Sequence, residues 1–128
     1  MKQEIKKGVK ALEKGIRNWY EFHNEQEKEF KRILDKALEK GLDGIELKET
    51  EGVYGLPGYK DMLRLNRAVV KVDEKGRKDY YIEADLVELY KTSVNTIGGR
   101  TLDFEELSDA IILSDVMHSM YAWEENEA

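Results

Sequence analysis

Cysteine is absent from the 128 residues of this chain, and proline occurs once, at Pro57. Without thiols, a disulfide framework, a thiolate zinc site and a cysteine nucleophile are all excluded. The composition fits a reducing, cytoplasmic setting. Long apolar runs are missing as well, and none approaches the ~20 residues that span a bilayer as a helix. Met1 leads directly into Lys2 and Glu4 with no apolar leader segment. The expectation is a protein without a membrane span or secretory signal. The most telling deficiency is local: after Arg100 the chain contains no Lys or Arg at all.

What is present is charge, unevenly spread. Asp, Glu, Lys and Arg make up 38% of the chain, against about 25% in ordinary globular domains. Residues 1–40 hold 11 basic against 8 acidic side chains, and residues 41–100 hold 10 against 11. Residues 101–128 hold 8 carboxylates with no basic partner, and the formal net charge is −6. Such asymmetry points to a charged partner, either within the fold or outside it. An apolar share of 41% is adequate for one domain with its own core.

Between Ile5 and Ala37 the apolar positions step alternately by four and three: Ile5, Val9, Leu12, Ile16, Trp19, His23, Gln26, Phe30, Ile33 and Ala37. That spacing is the seam of a helix that packs on another helix. It predicts burial of Ile5, Leu12, Ile16, Trp19, Phe30 and Ile33. Lys40-Gly41 supplies the stop. His23 and Gln26 interrupt the seam, and Asn24 with Glu27 resembles a capping box that would start a second helix near residue 25. We read one long or kinked helix, because the register crosses the polar pair unshifted.

Gly41, Gly44, Gly52, Gly55 and Gly58 break up the next stretch, and 52–58 reads as a turn or loop. Residues 67–72 and 78–84 then alternate about Asp73-Glu-Lys-Gly76, a hairpin signature. A lone hairpin is marginal in water, so a strand from 45–49 or 62–67 is expected to join it. Residues 86–94 fit a helix or a strand, and Gly98-Gly99 reads as a loop. Asp103 with Glu106 forms a capping box before an apolar stripe of Leu107, Ala110, Ile111, Met117, Met120 and Tyr121. The fold class is α+β in one domain, with 1–40 helical, 41–100 β-rich, 101–124 a helix and 125–128 a tail.

Little here carries chemistry. Glu83 and Asp85 share a strand face and, with Glu88 or His118, could hold a divalent cation and support metal-assisted hydrolysis. Their spacing matches neither a calcium loop nor H-E-x-x-H. His23 and His118 are read as structural or surface residues. The glycines of 52–58 lack the pattern of a phosphate loop. Lys7, Lys10, Lys14 and Arg17, resumed by Lys28 and Lys31, form a basic stripe. The net charge opposes direct binding to nucleic acid by that stripe. No cofactor is expected.

The acidic segment has two readings. Carboxylates complement the dipole at a helix N-terminus, which accounts for Asp103, Glu105 and Glu106. Asp109 and Asp115 lie beyond the first turn, so all five would instead form a surface that meets a basic partner. Tyr54 and Tyr59, flanking the glycines, would add an adaptable aromatic loop. In style the chain resembles the small, cysteine-free, acidic accessory proteins of phages and other mobile elements, anti-CRISPR proteins among them; no motif carries residues over. That resemblance implies an inhibitory, non-enzymatic protein-binding module aimed at a basic or nucleic-acid-handling partner. A homodimeric helical scaffold is the alternative, assembled through the 4-3 seam.

Overall fold

The computed structural model describes residues 2–50, 52–55, 62–107 and 109–127, with backbone alone for helical residues 2–14 and 16. The fold is α+β, as the sequence predicts. A single helix, α1 (Lys2–Glu39), is followed by β1 (Gly44–Glu46), β2 (Val53–Gly55), β3 (Met62–Val72), β4 (Lys78–Tyr90) and β5 (Ser93–Leu102). One 3-10 turn (Phe104–Glu106) then leads to α2 (Ala110–Glu127). At 1.5 Å per residue α1 is ~57 Å long, and it passes His23 and Gln26 without a break. Its end is a Schellman stop. Gly41 takes φ +83, its N–H bonds Leu38 O at 2.9 Å, and the Leu42 N–H bonds Ala37 O at 2.9 Å.

The sheet is antiparallel, in the order β1-β3-β4-β5, with β2 also on β3. β1 pairs with 67–69 and β2 with 62–64, so the two short strands occupy different stretches of β3. The expected hairpin forms β3 and β4, its turn closed by Gly76 at φ +80. Alternation along β3 would fail at Asn66-Arg67, where two polar residues adjoin. A bulge between Leu65 and Arg67 absorbs the change of phase. Leu63 and Leu65 before it, and Ala68 and Val70 after it, are therefore all buried.

Residues 86–94 resolve as strand and turn. Gly98 and Gly99 lie inside β5 opposite Leu86 and Asp85, not in a loop. The preformed edge of β4 supplies the pairing that glycine lacks by itself, and a register shift at Leu86/Val87 leaves Ile97 unpaired.

Phe30, Ile33, Leu34 and Ala37 of α1 pack with Ile112, Leu113, Val116, Met117 and Met120 of α2 in one core cluster over the sheet. Of the seam residues, Phe30 and Ile33 are fully buried and Trp19 is half-buried. Ile5, Val9, Leu12 and Ile16 lie outside the described side chains. The C-terminal helix starts at Ala110, not at Asp103, and runs on through 125–127. Asp103 caps only the 3-10 turn. After it, Leu107 leaves helical geometry, at φ −84 and ψ 84, and both Phe104 and Leu107 are buried. A second cap, Asp109, then accepts hydrogen bonds from Ile111 N at 2.8 Å and Ile112 N at 3.4 Å. That restart rotates the buried face. Ile111 is 64% and Tyr121 36% exposed, and Ala110 is exposed too.

Leu113→Ala should therefore cost about 2–5 kcal/mol, whereas Ile111→Ala should stay within about 0.5 kcal/mol. Urea denaturation of both variants checks the phase of α2; equal losses would contradict it.

Candidate interaction site at the 3-10 turn

The eight C-terminal carboxylates separate by what already engages them. Glu124 accepts from Arg32 Nη1 at 2.5 Å and from Lys36 Nζ at 2.8 Å, and Arg32 also bonds Glu29. Lys40 Nζ reaches Glu127 Oε2 at 3.3 Å and its carbonyl oxygen at 2.9 Å. The hydrogen bonds from Arg32 and Lys36 hold the Glu124 carboxyl well below its ordinary 4.5, at about 2. Asp115 accepts from the Tyr54 hydroxyl at 2.6 Å. Asp109 caps α2. Glu106 accepts from Asp103 N at 3.0 Å and sits 3.8 Å from Arg100 Nη2. The basic groups that answer this segment thus come largely from the second half of α1. Lys7, Lys10 and Lys14 lie outside the described side chains.

Of the residues expected to meet a partner, Tyr54 is buried at 8% exposure, and Tyr59 lies outside the described residues. Asp109, Asp115 and Glu106 have the structural duties just given. Asp103 and Glu105 are exposed. Among the described residues Glu105 has no hydrogen bond or ion pair.

Glu105 stands at a notch of about 400 Å³ whose other walls are Trp19, Tyr20, His23 and Asn24 of α1. A ladder of rings ties that wall to the core. Phe30 and Phe104 have centroids 4.9 Å apart, Phe104 and His23 5.2 Å, and His23 and Trp19 6.0 Å. Trp19 also neighbours Phe22 at 6.0 Å. Trp19 and His23 are one turn apart on the seam, so the helix sets Trp19 beside His23, which in turn meets Phe104. Tyr20, 62% exposed, and Phe22, 41% exposed, flank them. In sequence Trp19 and His23 are seam positions and Asn24 resembles a helix cap, a role the unbroken α1 does not give it, while nothing in the periodicity singles out Tyr20. The available signal was four rings in five residues, Trp19-Tyr-Glu-Phe-His23, more than one buried stripe can absorb.

Other candidates come apart. Glu83 and Asp85 share a face, but their register partners are Arg67 and Arg64, at 3.5 and 2.9 Å. Glu88 alternates to the opposite face, and His118 is exposed on α2. Among the described residues no three His, Cys, Asp or Glu side chains are grouped to hold a metal ion. Leu89, Tyr90, Val94 and Ile97 are exposed around the β4–β5 turn, an apolar surface whose own chemistry names no partner. Among the described residues no helix is long and apolar enough to cross a membrane. No family model, curated protein or solved structure matches this chain.

The depressed Glu124 carboxyl fixes the sign of a pH effect. Its stabilisation is fully present above 4.5 and is lost as pH falls toward about 2. Arg32 is 44% and Lys36 51% exposed, so solvent screening limits the contribution to about 1 kcal/mol. Glu124→Gln should lower stability by about that amount at neutral pH. The difference should shrink as pH falls from 4.5 toward about 2; a gap unchanged across a pH series of urea melts would refute the pairing.

Proposed function

We propose that this chain is a protein-binding module of accessory or inhibitory type that meets a basic surface of its partner at the 3-10 turn. One observation carries the reading. Most carboxylates after residue 100 have partners within the fold, whereas Glu105 is exposed, lacks a partner among the described residues, and faces half-exposed rings of α1. An unpaired charge beside aromatic surface is the composition of a recognition site rather than of a solvated face. Asp103 stands next to it, so two of the residues expected from sequence take part. On this reading the partner is a cytoplasmic, nucleic-acid-handling protein whose phosphate-binding groove supplies the cations.

The double change Asp103→Asn and Glu105→Gln removes two charges from an exposed turn and should leave folding intact. Capture of the partner from host lysate should weaken severalfold at low salt, and the loss should shrink as salt shortens the Debye length below ~8 Å. Undiminished capture at low salt would overturn the assignment.

A homodimeric scaffold is a second reading, favoured by the length of α1. Among described side chains the fully buried positions begin only at Phe30, while the 4-3 seam continues toward Ile5 in the sequence. Sedimentation equilibrium at tens of micromolar decides it: a dimer has twice the 14.9 kDa chain mass, and the monomer mass would exclude it.

A further inference from the structure

The walls of the notch specify more than a basic partner. Its described lining holds a single formal charge, the Glu105 carboxylate, with the rings of Trp19, Tyr20 and His23 and the amide of Asn24. Aromatic faces carry negative electrostatic potential and attract cations within about 6 Å of their centroids. A carboxylate beside them repels anions, and an apolar occupant would desolvate Glu105 without giving it a partner. A cation suits the Trp19 and Tyr20 faces and the Glu105 carboxylate at once.

Geometry then selects among cations. A lysine ammonium is a compact charge that keeps much of its hydration, whereas a guanidinium is planar, weakly hydrated and able to stack on a ring while donating paired N–H groups to a carboxylate. The His23 ring rests on Phe104, which packs on Phe30 (3% and 0% exposed), and Trp19 rests on His23 and Phe22, so these two rings are placed before any ligand arrives, with the exposed Tyr20 beside them. The opposite wall is the 3-10 turn, closed by the Glu106 N–H to Asp103 O at 3.1 Å. An anchored ring beside an exposed, unengaged carboxylate suits a planar fork that can stack on one and donate to the other.

Nothing described within the chain supplies that fork. Arg17 and Lys28, the nearest basic residues along the helix, do not line the notch. Lys31 and Lys78 line a neighbouring depression that Glu105 also borders, but both are engaged, Lys31 3.7 Å from Glu27 and above the Tyr80 ring, Lys78 3.1 Å from Asp35. We infer that the notch between Trp19 and Glu105 is the receptor for an arginine side chain of the partner protein. The inference rests on the protein-binding reading above and names the group that is read there.

The test uses the full chain and three probes in ¹H–¹⁵N NMR titrations: N-acetylarginine amide, its lysine counterpart and its citrulline counterpart, which keeps the shape of arginine without the charge. The chain has two tryptophans, so the indole N–H of Trp19 reports on the notch and that of Trp123 serves as internal control. Arginine amide should shift Trp19 saturably in the millimolar range and leave Trp123 unmoved. Lysine amide should bind severalfold more weakly, and citrulline amide not measurably. Glu105→Gln should weaken arginine binding about fivefold, in line with an exposed charge pair. Tyr20→Ala, a change at an exposed position, should also weaken it. An unmoved Trp19 resonance, equal shifts with citrulline, or full affinity in Glu105→Gln would overturn the inference. If arginine amide fails while partner capture still depends on Asp103 and Glu105, the protein-binding reading stands and only the arginine assignment falls. If arginine amide binds as expected but capture ignores both residues, the reverse holds.

Discussion

Leu63, Leu65, Ala68, Val70, Ile82 and Ala84 put an apolar face on one side of the sheet, and leaving that face in water is the cost that organises the molecule. Fully burying one side chain of this size is worth roughly 1.5–3 kcal/mol. One helix is too narrow to shield strands of this length, so α1 and α2 share the task. Each brings a stripe spaced by threes and fours, Phe30 to Ala37 on one and Ile112 to Met120 on the other. The bulge at Asn66 belongs to the same constraint. Without it, the second half of β3 would turn Ala68 and Val70 outward.

Covering one face with two helices creates an electrostatic problem at their shared end. Lys40 near the end of α1 contacts Glu127 near the end of α2, so the negative ends of both helix dipoles lie close together. Glu124, Glu125 and Glu127 add carboxylates where a dipole favours cations. Arg32, Lys36 and Lys40 answer both charges at once. Each pair is individually weak at such exposure, but together they remove the repulsion that would otherwise splay the two helices. The basic excess of residues 1–40 and the acidic excess of residues 101–128 are to this extent one feature seen from two places.

What could be read from sequence was what repeats locally. The helix that the 4-3 spacing implies, with its buried positions from Phe30 to Ala37, the stop at Gly41 and the hairpin about Gly76 depend on neighbours within a turn or two, and they are found as expected. The start of α2 was not legible, because Asp103 and Asp109 both satisfy capping rules. Only the burial of Phe104 and Leu107 decides between them. The membership of Gly98 and Gly99 in a strand was equally hidden, since it is imposed by β4. The pairing of Arg32 with Glu124 spans 92 positions, beyond any local pattern. For the candidate site, Glu105 could be named from charge alone, but its neighbours on α1 required the path of the chain.

That path also explains why the notch is where it is. Along α1 the burial changes from full at Phe30 to partial at His23 and Trp19, so the helix leaves the body within about two turns. Phe104 fills the point of departure. Its ring contacts both Phe30 and His23, and the same 3-10 turn that buries Phe104 presents Glu105 outward one residue later. Successive residues of a 3-10 turn point about 120° apart, so a buried ring at one position makes an outward carboxylate at the next a geometric consequence. The core thereby positions a charged group it does not itself need, and leaves it beside aromatic surface.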